Sequence, residues 1–111
     1  MAVNFAAVRK MAMSFAGVEE GTSYGTPAFK VKGALIARLK EDGESLVVRM
    51  DFERRKEMLE ADPQTYYITD HYLNYEWILV RLPRVSPDAL RDLLGGAYRA
   101  AAAGKTRRRA T

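Results

Sequence analysis

Eight residues late in the chain place the strongest constraint on its fold. Tyr75 to Leu82 reads as a β-strand with large side chains on both faces, Trp77 and Leu79 against Ile78 and Val80. A strand with one face in water alternates polar and apolar residues, whereas one that is apolar on both faces has to be covered on both. The spacing therefore predicts a central strand. No uninterrupted apolar run exceeds the four of Trp77 to Val80, far below the roughly 20 residues that span a bilayer. Arg9 and Lys10 interrupt the first apolar stretch, which is unlike a signal peptide. The expectation is a cytoplasmic protein without a membrane segment.

The remaining elements follow from periodicity and punctuation. Residues 3–15 carry Phe5, Val8, Ala12 and Phe15 at helical spacing, with Gly17 as terminator. Glu19 to Pro27 reads as a loop, because two glycines and a proline fall within seven residues. Ala28 to Val31 and Leu35 to Lys40 read as a hairpin joined by Lys32-Gly33-Ala34. A three-residue turn with a bulge sets Phe29, Val31, Leu35, Ala37 and Leu39 on one face. A two-residue turn sets Phe29 and Val31 against Ile36 and Arg38, which buries less, so the first register is expected. Ser45 to Met50 gives a third strand. Asp51 caps a helix over 52–61, with Phe52, Lys56 and Leu59 on one side, and Asp62-Pro63 stops it. Ser86-Pro87-Asp88 opens a last helix that Gly104 ends, and Gly95-Gly96 within it marks a kink or a close approach. The order implies an α+β fold of two layers, an antiparallel sheet of about 4–5 strands with helices packed on one side. At 111 residues this is one domain, 1–103, followed by a basic disordered tail, 104–111.

Composition excludes several chemistries. With no cysteine and one histidine, His71, there are no disulfides, thiolate nucleophiles, iron–sulfur clusters or multi-histidine metal sites. No metal and no cofactor is expected. The formal charge is +4. Four of the 18 basic residues, Lys105, Arg107, Arg108 and Arg109, lie in the tail, so the other 14 match the 14 acidic ones. The body is neutral, and the basic excess is a short terminal run able to touch phosphates or simply to be solvated.

Several strings taken together resemble the MmcQ/YjbR family of small bacterial proteins. They are Ser23-Tyr24-Gly25-Thr26-Pro27-Ala28-Phe29-Lys30-Val31, Glu53-Arg54-Arg55, Asp62-Pro63, Tyr66-Tyr67-Ile68-Thr69-Asp70-His71-Tyr72 and Trp77-Ile78-Leu79-Val80-Arg81-Leu82. The resemblance spans about Phe15 to Ala100. It implies a compact domain with an antiparallel sheet of double-wing shape, and a DNA-binding label that brings no base-reading residues with it.

Two surfaces stand out. In the expected register Lys30, Lys32, Arg38 and Lys40 share the outer face of the hairpin with Arg49 beside them, a phosphate-tracking patch for double-stranded DNA, helped by Arg107, Arg108 and Arg109. The bland reading is a set of solvated residues that blunt a sheet edge, diluted by Glu41, Asp42 and Glu44. The second surface is an aromatic and titratable group, Tyr24, Lys30, Asp70, His71, Tyr72 and Trp77, suited to a small polar ligand or a partner protein. Ser23 with His71 as base has no nucleophile elbow or oxyanion motif beside it, so no enzyme is expected. His71 and Tyr72 read first as a hydrogen-bonded network closing a loop onto the sheet.

Overall fold

The sheet is built by alternation and by two glycine turns. In a computed structural model, which describes residues 3–110 and the side chains of 3–103, the order is α1 (Phe5–Met13), β1 (Val18–Ser23), β2 (Thr26–Val31), β3 (Ala34–Leu39), β4 (Ser45–Arg49), α2 (Phe52–Ala61), β5 (Tyr66–Tyr67), a 3-10 turn (Asp70–Tyr72), β6 (Trp77–Arg81) and α3 (Pro87–Ala110). The six strands form one antiparallel sheet in the order β1-β2-β3-β4-β6-β5. The α+β architecture matches the sequence reading, with more strands than the 4–5 expected. The additional edge strand is β1, whose residues read as a loop. It has one buried residue, Val18, and is held by pairing along the whole of β2, so its side chains carry no burial pattern.

Capping of α2 and α3 works as the sequence suggests. Asp51 and Ser86 accept from the backbone N–H of Arg54 and Ala89, and Asn4, which the sequence reading places inside the first helix, caps it instead by accepting from Ala7 N–H. The inward side of α2 differs in part from expectation: Leu59 packs on the core as expected, Phe52 and Lys56 are exposed, and Arg55 and Met58 face the protein in their place. α3 carries through Gly104, where the sequence places its end, and the side chains of Arg107, Arg108 and Arg109 lie outside the described residues. At Gly96 an added Cβ would meet Arg54 Nη1, the far end of a flexible side chain from α2, at 2.8 Å.

All three helices pack on one face of the sheet, where Phe29, Ile36, Leu46, Ile78, Val80, Leu90 and Leu94 form the main core. The other face of β6 is covered by no helix. Leu79 and Val47 are sealed there by Tyr72, with Tyr67, Ile68 and Trp77 around them. Strand β6 is therefore covered on both faces, as its composition requires, and the second cover is the short turn and its flanking loop.

The β2–β3 hairpin corrects the expected register. Val31 pairs with Ala34 across a two-residue turn, Lys32-Gly33, with both residues at positive φ (52° and 78°), as a type I′ turn demands. The irregularity lies inside β3: Lys30 pairs with Leu35 but Phe29 with Ala37, which leaves Ile36 as the extra residue. Ile36 and Ala37 both enter the main core, and Leu35 turns outward. The bulge thus restores Ala37 and Leu39 to the inner side and keeps Arg38 on the outer one.

The β3–β4 connection is fastened by Asp42. Its carboxylate accepts from the N–H of Glu44 (2.8 Å) and of Ser45 (3.0 Å). Burial pushes its pKa up, but those N–H groups and the Ser45 hydroxyl outweigh burial and hold it below 3.8. A carboxylate with a lowered folded pKa contributes stability that is present above its ordinary value and lost as pH falls through the folded one. Asp42→Ala is expected to cost about 1 kcal/mol near pH 7, with the gap to wild type narrowing as pH falls below the ordinary carboxylate range, in urea unfolding followed by circular dichroism.

Candidate functional site

The helix-free face of the sheet carries the site, and hydrogen bonds over long sequence distances build it. Arg38, on the outer face of β3, is 5% exposed. Its Nη2 donates to the Tyr72 hydroxyl at 2.6 Å, and its Nη1 to Thr26 Oγ1 at 3.2 Å, the Leu39 carbonyl at 3.3 Å and Glu41 Oε2 at 3.4 Å. The guanidinium lies 5.1 Å from the ring centroid of Tyr24. Glu41 is a weak counter-ion, since its side chain is 58% exposed. Its own backbone N–H, more than Arg38, lowers its pKa, against a desolvation that raises it.

Tyr24 reaches this place through backbone strain. It forms the β1–β2 turn with Gly25, and both residues have positive φ (55° and 78°). Glycine and asparagine are the usual residues there, and a bulky side chain at positive φ is an outlier. The ring is 80% exposed, so burial offsets little of the strain.

A second arginine holds the opposite wall. Arg55 of α2, 7% exposed, donates from Nη1 to the carbonyls of Tyr72, Tyr75 and Trp77 and from Nη2 to that of Leu73. These bonds fold the 72–77 segment against the sheet and present Tyr75 and Trp77. Arg49 lies 4.8 Å from the Trp77 ring centroid while its Nε donates to the Leu35 carbonyl at 2.9 Å. Between these walls is a cleft of about 400 Å³. Its floor is Leu35, Val47 and Arg38, its walls are Tyr24, Tyr72, Tyr75 and Trp77, and Ser23 and His71 stand at its margin. A second cleft of about 310 Å³ shares Tyr24, Arg38, His71 and Tyr72 and adds Lys40, Glu41 and Thr69.

The residues singled out in the sequence divide accordingly. Tyr24, His71, Tyr72 and Trp77 converge on the first cleft; Asp70 and Lys30 line neither. The expected network closes through Tyr72, whereas His71 is exposed and meets the Tyr72 ring edge-on at 4.8 Å. Among the cations, the pairing puts Lys30 and Arg38 on the outer face, Lys40 lies on the same side by alternation, and Arg49 stands opposite Trp77. Lys32 sits at the turn tip. Lys30 faces Glu19 across the β1–β2 pair, and Glu41 adjoins both Arg38 and Lys40. Lys30, Arg38 and Lys40 thus each have a carboxylate beside them. Arg55, Tyr75, Leu35 and Val47 were not singled out as site residues, and nothing in charge or periodicity marks them.

Among the described residues no group of three or more His, Cys, Asp or Glu side chains is placed to hold a metal ion, and no helix is long and apolar enough to cross a membrane. The molecule is thus an α+β domain with an arginine-floored aromatic cleft on the open face of its sheet. The profile of the YjbR family matches residues 13–100, and the chain belongs to that family. A solved structure of Deinococcus radiodurans protein DR2400, which carries a DUF419 domain, superposes with a TM-score of 0.73 at 25% identity, over 85% of this chain and 75% of that one. No curated protein matches.

Replacing Arg55 tests how the cleft is held. Arg55→Met keeps the aliphatic stem but removes four donor contacts, and is expected to cost about 2–3 kcal/mol. In hydrogen exchange the amides of 72–77 should lose protection before those of β2 and β3.

Proposed function

We propose that this protein is a non-enzymatic binding domain whose cleft takes a small planar molecule bearing an oxyanion. One observation carries the reading: a guanidinium almost wholly withdrawn from solvent faces an aromatic-walled cleft, with only an exposed carboxylate for a counter-ion. A buried arginine short of compensating charge favours an anion beside it, and its planar donors suit carboxylate or phosphate. The cleft volume lies within the range of about 300–1,000 Å³ typical of small-molecule sites. Ser23 and His71 border the same cleft without a hydrogen bond between them among the described residues, which favours binding over catalysis.

Trp77 is the sole tryptophan and lines the cleft, so its fluorescence reports occupancy. Benzoate is expected to change that signal saturably. Arg38→Gln, checked for folding by circular dichroism, should weaken binding about tenfold, or 1.4 kcal/mol. A signal unchanged by benzoate overturns the reading.

A second reading, double-stranded DNA bound through Lys30, Lys32, Arg38, Lys40 and Arg49 with Arg107, Arg108 and Arg109, is favoured by one observation. Lys30, Arg38 and Arg49 stand on the sheet face that no helix covers. The burial of Arg38 and the interleaved Glu19 and Glu41 make such binding weak. Titration of duplex DNA at about 50 mM salt tests it, with a salt slope near one unit per phosphate contacted. A chain lacking 104–111 separates binding by the tail from binding by the sheet face. No binding at that salt removes this reading.

A further inference from the structure

The site has two chambers, and Arg38 is the hinge between them. The first is walled by aromatic and aliphatic groups, with Leu35, Val47 and Trp77; the second adds the charged and hydroxyl groups of Lys40, Glu41 and Thr69 to the shared walls. Arg38 has five N–H donors. Its hydrogen bonds use Nη1 and Nη2, and none uses Nε. Among the described residues no buried side-chain nitrogen lacks a partner, so Nε–H opens onto accessible space rather than into packed protein. A simple aromatic acid needs only the first chamber and leaves the second unused. A molecule that fills both has a flat ring at one end, a compact anion at the other, and a polar spacer between.

We infer that the ligand is a nucleoside phosphate, its base in the Tyr24–Trp77 chamber and its phosphate on Arg38 and Lys40. This rests on the reading of the cleft as a site for planar oxyanions and names its class. Stacking on aromatic rings is the general means of holding an unpaired base. A phosphate needs more positive charge than a carboxylate, and the second chamber brings the Lys40 ammonium near Arg38. Glu41 opposes the phosphate. Because its side chain is largely exposed, it swings into water when the phosphate takes its place on Arg38.

The test is calorimetric titration of the full chain with adenosine monophosphate, adenosine, inorganic phosphate and benzoate. Adenosine monophosphate should bind at least about tenfold more tightly than adenosine or phosphate. Glu41→Gln should tighten the monophosphate severalfold and leave adenosine unchanged. Tyr24→Gly suits the positive-φ turn and so preserves the fold; it should weaken adenosine and its monophosphate alike. Monophosphate no tighter than adenosine overturns the inference. If benzoate still binds, the planar-oxyanion reading stands without it; if nothing binds, both fall. A 5′-phosphorylated single-stranded tetranucleotide separates the sources: tighter binding than the mononucleotide supports a strand end, equal or weaker binding a free nucleotide.

Discussion

Tyr72 is gripped at both ends by guanidinium groups, and the open face of the molecule depends on that grip. Arg38 takes its hydroxyl and Arg55 its carbonyl, one from the middle of the sheet and the other from helix α2. The ring between them seals Val47 and Leu79. Without that plug, the second apolar face of β6 would lie in water. The contacts that complete the core are thus the same ones that shape the cleft. Burying a charge is costly unless it is hydrogen-bonded; here the two arginines share seven oxygen acceptors of backbone or hydroxyl type between them and a single, exposed carboxylate.

Much of this architecture was legible in the residues, and the unread parts share a cause. The two-faced composition of Tyr75–Leu82 announced a doubly covered strand, and Asp51 and Ser86 announced their helices, because burial and capping leave periodic or local marks. Strand β1 left none: as an edge strand it is secured by backbone pairing, and Glu19, Glu20, Gly21 and Thr22 are all exposed. The β1–β2 turn falls where two glycines and a proline read as a loop, and the two-residue β2–β3 turn loses to the longer one because, without a bulge inside β3, it sends Arg38 inward and buries less. The burial of Arg38 and Arg55 was illegible for another reason. Each depends on acceptors supplied by distant segments, and a charged residue by itself reads as a solvated one.

The aromatic loop and the hairpin looked like separate candidates, yet the fold joins them. Arg38 belonged to the cationic surface in the sequence, and the structure hands it to the aromatic one. The missed edge strand matters again here, since Glu19 sits opposite Lys30 only because β1 exists. A neutral body turns out to mean interleaved charges on this face rather than cations on one side and anions on the other.

The bulge at Ile36 decides which layer receives a charge. If β3 alternated strictly from the turn onward, Arg38 would point where Ile36 does, in among the leucines of α3. Slippage of the hairpin by one position would thus deliver an uncompensated guanidinium to the driest part of the protein, a far greater penalty than one irregular pair in a ladder. The misplaced arginine makes the wrong alignment self-rejecting, so a residue that shapes the open face also proofreads the pairing of the strands beneath it.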